Sequence, residues 1–304
     1  MSHKIALSLL PLLTIGCAGG GSEFADVLPD DRLLLELPAN NVSSKGMTEG
    51  EWSEFYLVTS QVTDDVNGLI GGILHLVDNI TDRRPSWAND ARTHAIWGPY
   101  STALDPVDVT LHVEYAPLDD TYTWYFNMIP KGEDGGEEVT VVAGEVDAGA
   151  TRMASSGRFT ADFTTMQQLD PTTRLEGLFY SDYEISPTGV IAEASVEGFG
   201  WQKTHDAFYT YSQEFGGEGE MDLAWEQDAD NDGIDDTFAL RSRWFNDGDG
   251  RGDALVTSSR HETTVVATEC WNTSFNLVYG YNEITGEEVG SDSDCAYSDA
   301  SYVE

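Results

Sequence analysis

The residues best placed to do chemistry are acids in tight turns. Asp228-Ala229-Asp230-Asn231-Asp232-Gly233-Ile234-Asp235-Asp236 sets aspartates at alternate positions and follows them with a glycine. A hard cation such as Ca2+ takes roughly six to eight oxygen ligands, and alternate carboxylates in one turn present several together. Gly233 permits a sharp bend, the Ile234 carbonyl is available as a ligand, and Asp236 can act directly or through water. Asp228, Asp230, Asp232 and Asp236 are therefore the candidate metal ligands, and Ca2+ is the candidate cofactor. A second acidic turn, Asn246-Asp247-Gly248-Asp249-Gly250-Arg251-Gly252-Asp253, follows one expected strand later. Its Asp-Gly pairs suit an ordinary hairpin turn, and its Arg251-Gly252-Asp253 adhesion tripeptide is short enough to arise by chance.

The first run resembles the DxDxDG calcium loops of EF-hand, dockerin and thrombospondin type 3 proteins, which implies Ca2+ binding through its aspartates. It departs from the EF-hand pattern at the place where a bidentate Glu is needed, which here holds Ala239. Its flanks also read as strands, not helices.

Catalytic patterns are missing. No Gly-x-Ser-x-Gly elbow, His-Glu-x-x-His helix or phosphate-binding Gly-rich loop followed by Lys occurs. His75, His94, His112, His205 and His261 are scattered one per element. Carboxylate pairs can hydrolyse glycosides, but among 54 acids no pair stands out. The expectation is no enzyme.

Cysteine usage points to export. The chain opens MSHKIALSLLPLLTIG, with Lys4 ahead of an apolar run from Ile5 to Ile15. That run is shorter than the roughly 20 residues a membrane-spanning helix needs and fits a secretory signal. It ends Leu13-Thr14-Ile15-Gly16-Cys17, which resembles a bacterial lipobox, although Thr14 stands where that pattern usually has Leu. The resemblance implies that Cys17 is lipidated and becomes the mature N-terminus. It also implies a domain held outside the cytoplasm on a bacterial membrane, the outer membrane being the expected one. Ala18-Gly19-Gly20-Gly21-Ser22 then fits a flexible tether. Only Cys270 and Cys295 remain, and two thiols in an exported chain are most simply one disulfide. Closing that loop of about 25 residues contributes roughly 3 kcal/mol on the chain-entropy model. The segment Ala267-Thr268-Glu269-Cys270-Trp271-Asn272-Thr273-Ser274-Phe275, closing with Cys295, resembles the C-terminal end of uncharacterised lipoproteins from myxobacteria and their relatives.

Charge excludes some partners. The 304 residues hold 15 Lys and Arg against 54 Asp and Glu, a formal net charge of −39. Such a surface repels nucleic acid and anionic headgroups, so the lipid is the expected membrane contact. The compact state also repels itself at low salt. A lysine-poor, acid-rich composition suits a saline habitat.

These residues must be positioned by a mainly β fold with one early helix. Thr48-Glu49-Gly50-Glu51 has capping-box form. Behind it Phe55, Val58, Val62, Val66, Leu69, Ile73, Leu76 and Ile80 recur at helical steps, and Arg83-Arg84-Pro85 supplies a stop. Gly68, Gly71 and Gly72 weaken that helix or allow a close approach. Ahead of it, Leu33–Leu37 is expected as a short strand. From about residue 93 the period changes to two. Thirteen β-rich segments follow, beginning at His94, Val109, Tyr122, Glu137, Gly157, Arg174, Val190, Ala207, Glu220, Phe238, Ala254, Thr264 and Phe275. Short turns between them, such as Ala116-Pro117-Leu118-Asp119-Asp120, predict a large antiparallel meander. It would be a curved half-barrel or an open barrel packed on the helix.

The expected organisation is a signal peptide over 1–16, the lipidated Cys and tether over 17–47, and a single β-rich domain over 48–304. The outline is similar to the half-barrel carriers of the lipoprotein-localisation class. Three functions are open: a non-enzymatic binding or structural surface lipoprotein, a periplasmic carrier of an acyl chain or lipoprotein, and a secreted hydrolase using carboxylates.

Overall fold

The computed structural model describes residues 24–37, 48–132, 136–151, 153–200, 205–228, 233–258, 260 and 263–302. The signal segment and Cys17 lie outside the described residues.

The described chain is mainly antiparallel β with two α-helices. Helix α1 (Glu54–Thr81) comes first. The strands follow as β1 (Trp87–Ala88), β2 (His94–Tyr100), β3 (Val107–Ala116), β4 (Thr121–Pro130), β5 (Val139–Asp147) and β6 (Ser155–Asp162). After helix α2 (Phe163–Leu169) come β7 (Glu176–Ile185), β8 (Gly189–Gly200), β9 (His205–Glu214), β10 (Gly219–Gln227) and β11 (Asp236–Trp244). The last are β12 (Gly250–Ser258), β13 (Thr263–Trp271), β14 (Leu277–Asn282) and β15 (Glu287–Gly290). Strand order in the sheet follows chain order from β1 to β15, so the meander is open, with β1 and β15 at its edges. Both edges are short, and β15 exposes Glu287 and Glu288. Short, charged edges discourage pairing with another chain.

The thirteen expected strands all form. α2, β1 and β15 were not expected. Phe163 opens α2 instead of ending a strand, because Asp162 caps it by accepting the Thr165 N–H at 2.8 Å.

The start of α1 differs from the expectation. Gly50 adopts φ +84°, a left-handed conformation that stops a helix from running through Thr48–Glu51. Those residues instead turn, with the Gly50 N–H donating to the Leu277 carbonyl and the Glu51 carbonyl accepting the Leu277 N–H. The cap is Ser53, whose Oγ accepts the Tyr56 N–H at 3.1 Å. The helix ends before Arg83-Arg84-Pro85 as expected. Gly68 and Gly71 do not break it. Leu33–Leu37 forms no strand: a 3-10 turn covers Asp31–Leu33. The Leu35 main chain is then satisfied at both groups by the Asn67 amide, at 2.7 and 2.8 Å.

The chain falls into two compact units. The first takes residues 24–34, 68–187 and the end of β8. Its inner side is aromatic: Trp97, Trp124, Phe126, Phe159 and Phe179 are at most 1% exposed. The Trp124 ring lies flat over Gly144 on the next strand, where a Cβ would come within 2.3 Å of it.

The second unit takes 35–67, the start of β8 and 205–302. It repeats this device, with Trp244 over Gly219 and Trp271 over Gly250. Here α1 presents hydroxyls to the sheet. Thr59 and Thr63 are buried while Val58 is 37% exposed, so the buried stripe departs from the expected one in the first half of the helix. Val66, Leu69, Ile73 and Ile80 are buried as expected. The Thr59 and Ser242 hydroxyls hydrogen-bond at 2.6 Å. Gly252 admits the helix closely, since a Cβ there would meet Phe55 at 2.9 Å.

Candidate functional site

In the second unit, β10–β13 carry charge on the face opposite the helix. Register places Glu220, Arg243, Arg251 and Cys270 in one cross-strand row, and Asp222, Arg241, Asp253 and Thr268 in the next. Strand alternation sends these outward and sends Met221, Ser242, Gly252 and Glu269 to the helix side. The Arg251 and Asp253 side chains are only 4% and 1% exposed. Arg251 Nε donates to Asp253 at 2.9 Å, Thr268 Oγ1 donates to it at 2.8 Å, and Arg243 Nη2 reaches it at 3.3 Å. Arg241 pairs with Glu220 and Asp222 at 2.5 and 3.3 Å. Burial outweighs the nearby Arg241 and holds the Asp222 carboxyl above the usual range.

The C-terminal segment covers this face. The Cys270–Cys295 disulfide joins it to β13, with Cα atoms 5.3 Å apart. Beyond Cys295, Arg251 Nη1 donates to the Tyr297 carbonyl at 3.1 Å and Arg243 Nη2 to the Asp299 carbonyl at 2.5 Å. Asp253 Oδ2 accepts the Ser301 N–H at 3.0 Å. The Tyr297 ring stacks on Phe245, centroids 4.5 Å apart, with the Arg243 guanidinium over it at 4.9 Å. Burial, and then Glu218, push the Tyr297 phenol up to about 12.

Of the candidate metal ligands, Asp228 directly follows β10 and accepts the Gly233 N–H at 3.1 Å. Asp236 opens β11 opposite Gln227 and is 9% exposed. Asp230 and Asp232 lie outside the described residues. Ala239 is paired within β11, so no bidentate ligand enters from there. Among the described residues, no group of three or more His, Cys, Asp or Glu is arranged to hold a metal ion.

The second acidic turn is shorter than expected. It closes at Asp249, with Phe245 N bonded to the Asp249 carbonyl at 2.9 Å, and β12 starts at Gly250. Arg251-Gly252-Asp253 is thus buried strand, unavailable as an adhesion tripeptide. Partial burial, and then the adjacent Asp247 carboxyl, push Asp249 up to about 6.

Two arrangements lacked a reading from sequence. Glu269 on β13 is buried and caps α1, accepting Ser53 Oγ at 2.7 Å and Phe55 N at 3.0 Å. Burial raises its carboxyl above the usual range against both bonds. Its only signal was an acid inside an otherwise β-rich segment. In the first unit His94 and His112 share a face, ring centroids 5.8 Å apart. Each Nε2 faces a carboxylate: Glu114 at 3.5 Å and Glu138 at 3.4 Å. Outward positions on two neighbouring hairpin strands were the signal for that pairing.

No protein-family model matches the chain, and no curated protein or solved structure is found to be similar to it. The resemblances described above rest on the quoted residues alone.

Proposed function

We propose that this chain is an exported lipoprotein, tethered to a bacterial membrane through Cys17, whose β-rich part serves outside the cytoplasm as a non-enzymatic binding or structural surface protein. The disulfide between Cys270 and Cys295 carries this reading, because such cross-links persist in oxidising compartments and are rare in the cytosol. The signal-like opening supplies the route, and Cys17 the anchor. No helix among the described residues is long and apolar enough to cross a membrane, so a lipid would do the holding. Two acyl chains are enough for that.

The non-enzymatic part is supported by how the buried acids are engaged. Asp253 and Glu269 accept several hydrogen bonds each and serve the fold. The carrier reading asks for an open apolar concavity, and the inward aromatics of each unit are packed. We also propose Ca2+ at the Asp228–Asp236 loop as a stabilising ligand, with Asp228, Asp230, Asp232 and Asp236 holding it.

The test is metabolic labelling with radioactive palmitate in a bacterial host. The wild-type chain should take up label and sediment with membranes, and Cys17→Ser should do neither. Label retained by Cys17→Ser, or absent from the wild type, would remove the lipoprotein reading.

A further inference from the structure

The C-terminal segment touches the sheet in an unusual way. Its three direct polar bonds to Arg243, Arg251 and Asp253 all use its main chain: the carbonyls of Tyr297 and Asp299 and the N–H of Ser301. They recur every second residue. The Tyr297 ring is the aromatic anchor, stacked on Phe245 with Arg243 over it. Asp253 and Arg251 also have partners outside residues 296–302. Asp253 is held by Arg251 and Thr268, and Arg251 by Asp253 and, ahead of the disulfide, by the Asp292 carboxylate at 3.3 Å. Main-chain recognition with one aromatic anchor is how peptide grooves bind their ligands, because affinity comes from the backbone and specificity from a pocket.

We propose that the outward face of β11–β13 is a peptide-binding groove, formed by Arg243, Arg251, Asp253 and Phe245. Its resident occupant is the chain's own segment 296–302, and the same segment of a second copy can take its place. The Cys270–Cys295 bond locks the resident in. Cys270 is fully buried, so a dithiol reductant opens the lock at Cys295. Its first thiolate forms a mixed disulfide with Cys295 Sγ, and Cys270 leaves and takes a proton. The second thiol then closes the reductant's own disulfide and releases Cys295 as a thiol. The protein disulfide gains two electrons and two protons, and the dithiol loses them. The inference stands apart from the lipoprotein reading, since nothing in it depends on Cys17.

A tethered resident competes at an effective concentration of about millimolar, so the test weakens the tail and leaves the groove intact. The variant is the full chain carrying Cys295→Ser, Tyr297→Ala and Ser301→Pro. These remove the lock, the aromatic anchor and the N–H that Asp253 accepts. The probe is a fluorescein-labelled peptide of residues 296–304 with the natural sequence, read by anisotropy. We expect saturable binding to the variant and none to the oxidised wild type. Adding Arg243→Ala to the variant should weaken binding at least about tenfold, as loss of a charged hydrogen bond and of the ring contact requires. Three outcomes would overturn the groove. The first is a variant that keeps its β circular dichroism and fails to bind at about 1 mM peptide. The second is Arg243→Ala binding as well as its parent. The third is loss of the β signal in the variant, which would make the tail a part of the fold and not an occupant.

Discussion

Asp249 sits at the tip of the β11–β12 hairpin beside Asp247, and its carboxyl titrates near 6. The folded chain therefore holds this proton more tightly than the unfolded chain, whose aspartate titrates near 4. As pH falls from about 6 to about 4 the folded state takes up the proton first, and folding gains stability. Above about 6 that gain is lost. Asp249→Asn should thus raise the melting temperature more at about pH 7 than at about pH 4.5, and an equal change at both would contradict the shift. Little at this scale was legible beforehand. The Asp-Gly pairs announced the turn correctly, but nothing local said that Arg251 and Asp253 leave it to become buried strand. Glycine at 250 and 252 reads as loop in a sequence. In the fold those glycines exist for their neighbours, Trp271 and Phe55.

At the scale of elements, alternation and turn residues predicted the strands, because each strand needs only its own pattern. The helix was legible at its C-terminal end, where Val66, Leu69, Ile73 and Ile80 are buried as expected, and not in the register of its first half. There the buried stripe runs through Thr59 and Thr63, whose hydroxyls are satisfied by Ser242 and by helix carbonyls. A hydrophobicity count cannot see such a polar seam. The aromatic-over-glycine pairs were equally hidden, since Gly219 and Trp244 are distant in sequence and become partners through register. They give a direct prediction. Gly219→Ala would place a Cβ within 2.3 Å of the Trp244 ring and should cost about 1–3 kcal/mol, read as a lower urea midpoint. The milder Gly68→Ala, at an exposed helical position with open space around it, is the control. It should leave the midpoint unchanged or raise it.

For the whole molecule, charge dominates. With a net charge of −39, melting should rise between about 10 mM and about 1 M NaCl, where the screening length falls about tenfold. Millimolar Ca2+ at high salt should add a further increment, and Asp230→Ala should remove that increment alone. Salt-independent melts would reject the first effect, and a calcium effect that survives Asp230→Ala would move the ion elsewhere. The sequence alone determined the composition, the antiparallel meander, the early helix and the Cys270–Cys295 pairing. These follow from local periodicity, from short connections and from having two cysteines beyond Cys17. Only the tertiary structure decided what the disulfide fastens. It folds the C-terminal segment over Arg243, Arg251 and Asp253, residues that register across β11–β13 brings together. Register is set by turns and packing along the whole sheet, so no stretch of sequence contains it.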